Sequence, residues 1–333
     1  MTAAQAVGEL ENTWSRYWAE GHLHSCPTSF PGYYGPQTQA FWRTVARALG
    51  PTDAVLELGC GNAGLLALLG EMFPVGEAPS LMGVDAAALD NSQLATQRNS
   101  HPNHARICVM GRTRFDSLGL ESASVTALIS QFAFEYGATD AAWAEVLRVL
   151  APTARIACVV HKSGSLLDCV ARDELTLIRQ VAEPDKLLEL AGAMIPLLDQ
   201  ASTAEGRERL SADSAAVAIK ENYNSSVQSV MALGQALPHG GYADDLLRHL
   251  TAVLGRVGVV GVARSLDELA ELCQGLDEHR VRLEALRAAA LDTAGLDIFR
   301  ERLEQNGFSP VSISVLHERG EEMGWALEGI REQ

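Results

Sequence analysis

Basic residues are scarce in this chain of 333 residues: 26 lysines and arginines stand against 42 aspartates and glutamates, which gives a formal net charge of −16. A protein that binds nucleic acid needs a basic face to displace the counterions of the phosphate backbone. The deficit therefore argues against nucleic acid as a partner or a substrate. We interpret most of the negative charge as solvated surface, which carries no information about a substrate.

Long apolar runs are also absent, although 47% of the residues are hydrophobic. No run approaches the roughly 18 apolar residues that a membrane-spanning helix needs. Residues 1–5 have neither the basic segment nor the apolar core of a secretory signal. We therefore expect a globular, cytoplasmic protein that has no membrane partner.

Closely spaced cysteines are missing as well. The six cysteines are scattered, and no two are separated by two residues, the spacing typical of zinc and redox sites. Cys108 and Cys158 lie in apolar segments, which favours buried free thiols over disulfides. The sequence predicts no metal site.

The most informative stretch that is present lies at positions 54–64, Ala-Val-Leu-Glu-Leu-Gly-Cys-Gly-Asn-Ala-Gly. It reads as a buried strand that ends in a glycine-rich turn and continues into an apolar helix, which would present free N–H groups at its start. Gly59 and Gly61 lack a Cβ where the backbone must pass close to a ligand or adopt a positive φ. Glu57 is an acid in an apolar strand, so it needs a polar partner such as a ligand ammonium. The stretch predicts a nucleotide-type site.

These residues also resemble a known family. Val-Leu-Glu-Leu-Gly-Cys-Gly-Asn is similar to motif I of class I S-adenosylmethionine-dependent methyltransferases, and differs from the G-x-G-x-x-G of nicotinamide enzymes. Leu-Met-Gly-Val-Asp at 81–85 resembles the family's second strand, and residues 118–130 resemble the run into its fourth strand. Residues 145–152 resemble the helix before its fifth strand. The segment after the fourth strand is most similar to the small-molecule type of this family.

The resemblance implies an α/β fold: a Rossmann-like, seven-stranded, mostly parallel sheet with an antiparallel last strand. The alternation of strand and helix patterns after Asp53 predicts such a sheet independently. Helical spacing without alternating strands predicts an all-helical insertion between strand 5 and the last helix. We therefore divide the chain into N-terminal helices and a lid loop (1–52), the cofactor-binding core (53–162), the insertion (163–293), expected to cap the acceptor pocket, and the completing helix and strands (294–333).

S-adenosyl-L-methionine is the cofactor that the resemblance implies. Asp85, at a strand end, would hold the ribose hydroxyls, although a helix N-cap is its structural alternative. Where the family commonly has an acid for the adenine, this chain has Gly111 and Arg112, so backbone groups there or Asp116 would replace it. The residues expected to bind the cofactor are Glu57, Gly59, Cys60, Gly61, Asp85, Gly111, Arg112, Ser130 and Gln131.

The acceptor site is expected where the fourth and fifth strands end. His161 follows strand 5, and an imidazole can act as a general base or as a structural hydrogen-bonding group. An apolar-aromatic helix face at residues 5–20, which includes Trp14 and Trp18, would either cover the site or pack on the sheet. Candidate catalytic residues are His161, Glu135 and Tyr136; candidate substrate-binding residues are Tyr33, Tyr34 and Phe132.

These features favour transfer of a methyl group from S-adenosylmethionine to an O, N or S atom of a small organic acceptor. A catalytically silent S-adenosyl-ligand or small-molecule binding protein of the same fold is the first alternative. A macromolecule methylase is the second, disfavoured by the acidic composition. The sequence leaves open whether the protein forms a homodimer.

Overall fold

The structure of the chain, a computed structural model, describes residues 3–25, 35–90, 100–183 and 186–332. Tyr33 and Tyr34, two of the expected acceptor contacts, lie outside the described residues. The chain forms two compact units, one from residues 1–168 and 285–333 and the other from residues 169–284. The four-segment division predicted from the sequence, with the insertion as a cap, stays a prediction.

The first unit contains a seven-stranded sheet with the strand order β3-β2-β1-β4-β5-β7-β6. Neighbouring strands from β3 to β5 pair in parallel, whereas β7 is antiparallel to both β5 and β6. This confirms the mostly parallel sheet and its antiparallel last strand. The strands are β1 (Ala54–Leu58), β2 (Ser80–Val84), β3 (Ile107–Met110), β4 (Val125–Gln131), β5 (Leu150–His161), β6 (Phe308–Glu318) and β7 (Glu321–Arg331).

Every regular element that the structure describes between residues 166 and 289 is a helix. None of the helices in the described ranges is long and apolar enough to cross a membrane. The helices are α1 (Ala3–Ala19), α2 (Pro36–Arg47), α3 (Gly64–Glu71), α4 (Phe134–Gly137), α5 (Asp140–Val149), α6 (Leu166–Ala182), α7 (Leu187–Gln200), α8 (Ala204–Ala212), α9 (Ser214–Ala236), α10 (Tyr242–Gly255), α11 (Val257–Val260), α12 (Val262–Ala289) and α13 (Thr293–Gln305), with a 3-10 helix at Pro102–Arg106.

Alternation along β1 decides which face of the sheet each side chain joins. Leu56 and Leu58 belong to the core on one face, together with α5 and α13, whereas Val55 belongs to the core on the other face, together with α2 and α3. Successive side chains of a strand point to opposite faces, so Glu57 shares the face of Val55. The carboxylate of Glu57 is thereby directed toward the start of α3.

Candidate active site

A cavity of about 270 Å³ lies where β1, β2 and β4 reach their carboxyl ends. In an open α/β sheet, this edge beside the switch in strand order is where ligands bind. Residues from α1 and from the loop after β3 complete its walls. Of the residues predicted from the sequence, those that line the cavity are Glu57, Gly59, Cys60, Asp85, Gln131, Phe132 and Tyr136.

The glycine-rich turn after β1 uses its N–H groups within the protein. The amides of Gly59 and Cys60 donate to the carbonyl of Val84 at 2.8 and 3.0 Å, and the amide of Gly61 donates to Oδ2 of Asp85 at 2.9 Å. These bonds fix the turn to the end of β2. In this turn the amides therefore hold the fold together, and carboxylates face the cavity. The free N–H groups expected at the start of the following helix stay a prediction.

Glu57 is the most unusual of these carboxylates because it lines the cavity although its relative exposure to solvent is only 3%. The N–H of Leu66, in the first turn of α3, donates to it, as expected for an acid at a helix N-terminus. Its Oε2 has no partner among the described residues. Burial, and next the charge of Asp85, raise the pKa of Glu57 well above its ordinary value. A cation or hydrogen-bond donor in the cavity would relieve both penalties.

Asp85 also faces the cavity, and both of its oxygens accept backbone hydrogen bonds. Oδ1 accepts from the amide of Ala87 at 2.8 Å, and Oδ2 accepts from Gly61. Burial raises the pKa of Asp85 to about 6, and the two backbone bonds oppose that rise. Each carboxylate oxygen can accept a further hydrogen bond. Asp85 can therefore keep its two bonds to backbone amides and still accept from the ribose hydroxyls, as predicted from the sequence.

Four residues predicted to bind the cofactor are not part of the cavity lining: Gly61, whose amide bonds to Asp85, and the three residues Gly111, Arg112 and Ser130. The amide of Arg112 donates to the carbonyl of Ala87 at 2.9 Å, and a Cβ on Gly111 would come within 2.9 Å of that same carbonyl oxygen. Ser130 donates to the carbonyl of Leu58 at 3.0 Å and accepts from the amide of Phe134 at 3.1 Å. Through these contacts the three residues hold the loops that form the site; their direct contact with a cofactor stays a prediction.

Helix α1 supplies walls of the cavity that the motif analysis did not assign. Trp14 and Trp18 stack with ring centroids 5.6 Å apart, and both line the cavity. A Cβ on Gly61 would meet the indole of Trp18 at 2.6 Å, which explains why a glycine is required there. The aromatic periodicity of residues 5–20 was the available signal, and of its two interpretations the structure favours coverage of the site.

In the loop after β3, the sequence analysis considered Gly111, Arg112 and Asp116 but not Arg114 or Phe115. Arg114 and Phe115 line the cavity, with Asp116, the residue considered as a substitute for the adenine acid. Arg114 donates to Oε1 of Glu11 on α1 at 2.6 Å and to Oδ1 of Asp116 at 3.2 Å. This ion pair fastens α1 across the cavity. The contact between Arg114 and Glu11 forms only when folding brings two distant segments together, so the sequence contains no motif for it.

His161 and Glu135 come together at the end of β5 but do not line the cavity. The backbone N–H of His161 donates to Oε1 of Glu135 at 2.8 Å. The imidazole is buried and stacks on Phe132 at 4.5 Å between centroids, with the ring of Tyr136 edge-on at 5.7 Å. Phe132 and Tyr136 are the members of this group that face the cavity.

Burial lowers the pKa of His161 to about 3, so its imidazole is neutral at pH 7 and less basic than an unperturbed histidine. Neither ring nitrogen has a partner among the described residues. A general base works best when its pKa lies near the operating pH. The catalytic assignment of His161 stays a prediction, and a role in supporting Phe132 and Tyr136 agrees better with its position.

We expect Glu135 to make folding stability depend on pH. Burial, opposed by nearby backbone N–H groups, raises the pKa of Glu135 from 4.5 to about 7, so the folded state binds more protons than the unfolded state within that window. Stability relative to Glu135→Gln should therefore fall by about 2 kcal/mol as pH rises from about 4.5 to 7. Urea unfolding at several pH values measures this. The control is Glu301→Gln, on the exposed side of α13, whose free energy of unfolding should depend on pH as that of the wild type does. If Glu135→Gln also showed the pH dependence of the wild type, the raised pKa of Glu135 would be refuted.

Comparisons with known proteins agree with this geometry. Residues 56–158 match the family model described as a methyltransferase domain. No curated protein matches the sequence. Within the described ranges, no three His, Cys, Asp or Glu side chains group together as metal ligands would.

Three solved structures illustrate the likeness. A SAM-dependent methyltransferase from Aquifex aeolicus is 18% identical, with a TM-score of 0.31 over 42% of this chain and 69% of that chain. The CcbJ methyltransferase from Streptomyces caelestis is 17% identical, with a TM-score of 0.35 over 46% of this chain and 59% of that one. Geranyl diphosphate methyltransferase, in complex with GPP and sinefungin, is 19% identical, with a TM-score of 0.31 over 37% and 44%. The chain thus spans less than two thirds of the latter two proteins.

Residues 56–158 are therefore a methyltransferase domain with S-adenosyl-L-methionine as its cofactor. The donor set of the cavity fits that molecule. An unpartnered buried carboxylate oxygen on Glu57 suits an ammonium group, and the remaining lone pairs of Asp85 suit hydroxyl groups.

Proposed function

We propose that this chain transfers a methyl group from S-adenosyl-L-methionine to an O, N or S atom of a small organic acceptor in the cytoplasm. The observation that carries the proposal is the cavity at the strand ends, in which Glu57 keeps an unpartnered buried oxygen beside Asp85. The methyltransferase domain supplies the reaction class. The acidic composition, with 42 acids against 26 bases, supports a small acceptor over nucleic acid.

The donor would be held at the ends of β1 and β2. Oε2 of Glu57 would accept from its ammonium group, and Asp85 would accept from its ribose hydroxyls. Arg114 is the arginine among the described lining residues, and it already pairs with Glu11 and Asp116. Arg114 is therefore not available to pair with Glu57 or Asp85, and the free lone pairs of these two acids can accept from the ligand.

The protein's part in the reaction would be alignment and exclusion of water. Bound S-adenosylmethionine supplies an electrophilic methyl group, whose transfer leaves S-adenosylhomocysteine and frees the proton of the attacking atom. Trp14, Trp18 and Tyr136 enclose the cavity with aromatic rings, which would shield the reacting atoms from water. Holding a nucleophile in line with a methyl group can supply much of the acceleration, so a catalytic base inside the cavity is not required.

A silent ligand-binding protein of the same fold is the second candidate. It is favoured by one observation: the imidazole of His161 lies outside the cavity lining, and burial lowers its pKa to about 3, which makes it a weak base near pH 7. Incubation with methyl-labelled donor and a metabolite extract separates the two. Label in a small product supports the enzyme, and donor binding without any labelled product supports the silent protein.

Substitution of Glu57 tests the donor site directly. We expect Glu57→Gln to weaken S-adenosylhomocysteine binding about tenfold, because a neutral amide replaces the charged partner of the ligand ammonium. Binding of 5′-methylthioadenosine, which has no ammonium group, should change less than about twofold. Calorimetry with both ligands measures this, and Glu205→Gln on exposed α8 is the matched control. Equal losses for both ligands would contradict the assignment.

A further inference from the structure

The part of the cavity beyond β4 differs in chemistry from the part beside β1 and β2. We call it the β4 lobe and define it by five described lining residues, none of which carries a charge: Thr38, Gln131, Phe132, Leu167 and Met323. Phe132 also lies against Gly324, the neighbour of Met323, because a Cβ on Gly324 would meet the Phe132 ring at 2.9 Å. An apolar wall with a few polar atoms is typical of a small-molecule pocket.

Trp42 fixes the orientation of the Gln131 side chain. The indole Nε1 of Trp42 donates to Oε1 of Gln131, and Trp42 is fully buried in the core between α2 and the sheet. An indole N–H can only donate, so the amide oxygen of Gln131 must be the atom that faces it. The NH₂ group of Gln131 is therefore assigned by chemistry and points away from Trp42.

This NH₂ group is an unsatisfied donor. Nε2 of Gln131 is buried and has no partner among the described residues, although Gln131 lines the cavity. A buried donor without an acceptor destabilises a protein, and a ligand oxygen that accepts from it removes that penalty. The second polar group of the lobe, the hydroxyl of Thr38, donates to Oε2 of Glu318 at 3.3 Å, so it has lone pairs but no proton to offer a ligand.

We propose that the β4 lobe binds the methyl acceptor, and that this acceptor is an uncharged, largely apolar molecule whose carbonyl, ether or hydroxyl oxygen accepts a hydrogen bond from Nε2 of Gln131. The proposal rests on the proposed function and names its substrate class. Gln131, which the sequence analysis assigned to the cofactor, is thereby assigned to the acceptor. A cationic acceptor is disfavoured because no described residue of the lobe offers it a negative charge, and a carboxylate is disfavoured because none offers a positive one.

Three probes of one shape test this on protein saturated with S-adenosylhomocysteine: acetophenone, ethylbenzene and 1-phenylethylamine. In NMR titrations of the wild type, we expect acetophenone to bind at least fivefold more tightly than ethylbenzene and the cationic amine to bind most weakly. Gln131→Glu keeps an oxygen for Trp42 but removes the donating NH₂, so the two uncharged probes should then bind within about twofold of each other. Gln305→Glu, at the exposed end of α13, is the matched control.

A preference for acetophenone that survives in Gln131→Glu, equal binding of the probes by the wild type, tightest binding of the amine, or no binding of any probe would each overturn the proposal. If Gln131→Glu does not fold, the wild type still decides: acetophenone, but not ethylbenzene, should shift the side-chain amide resonances of Gln131. Affinity for S-adenosylhomocysteine should change less than about twofold in Gln131→Glu. Failure of the wild type to bind S-adenosylhomocysteine would instead count against the proposed function.

Discussion

Replacement of Asp85 by alanine is expected to weaken binding of S-adenosylhomocysteine about 100-fold, because two hydrogen bonds from ribose hydroxyls to a charged group would be lost. Binding of 5′-methylthioadenosine should fall equally, since it carries the same ribose. That pattern distinguishes Asp85 from Glu57, whose substitution should affect only the ligand with an ammonium group. Calorimetry with both ligands measures the two effects.

The matched control is Asp267→Ala, on an exposed face of α12. Because Asp85 also accepts from the amides of Gly61 and Ala87, folding of the variant is checked by circular dichroism before binding is measured. A folded Asp85→Ala protein that binds both ligands within about threefold of the wild type would show that Asp85 only caps its loop.

Substitution of Gly59 by alanine should reduce the free energy of unfolding by about 3 kcal/mol, since a strained backbone and an overpacked contact add together. Gly59 has a φ of 70°, in the left-handed region that disfavours side chains. Its added Cβ would also overlap the Cβ of Ala133, just after β4. Urea unfolding of Gly59→Ala measures the combined penalty.

The double variant Gly59→Ala/Ala133→Gly separates the two contributions. Removing the methyl group of Ala133 relieves the overlap but leaves the positive φ, so about half of the lost stability should return. Ala133→Gly alone is the control for the change at that position. Recovery of no stability in the double variant would show that backbone strain, and not the approach of β4, explains the glycine.

Short local patterns in the sequence were enough to predict that Glu57 and Asp85 face the site. Glu57 and Asp85 were assigned because each stands at the end of an apolar strand, a pattern visible over five or six positions, and both line the cavity. The bonds of the turn amides of Gly59 and Cys60 to Val84 were not predicted, since they depend on the pairing of β1 with β2. Pairing partners lie more than twenty residues away, beyond any local pattern.

The acceptor end was less accessible to sequence reasoning. Gln131 was selected by its place at the end of β4, but the proposed donation from its NH₂ group depends on Trp42, which comes from α2. His161 was selected by its place at the end of β5, but the rings of Phe132 and Tyr136 face the cavity instead. Arg114 was not selected, because its contact with Glu11 joins segments 103 residues apart.

Taken alone, the sequence determined the mostly parallel sheet, its antiparallel last strand, the helical segment after β5 and the two acids, Glu57 and Asp85, that line the cavity. The parallel strands, the helical segment and the two acids follow from periodicity and from glycine and acid positions, which are local properties of the chain, whereas the antiparallel last strand follows from the resemblance to a known family. Only the tertiary structure decided which polar atoms remain available to a ligand. That availability depends on the hydrogen bonds that neighbouring residues make in the folded protein. Asp85 already accepts from the amides of Gly61 and Ala87. Oε2 of Glu57 and Nε2 of Gln131, two residues that line the cavity, have no partners among the described residues.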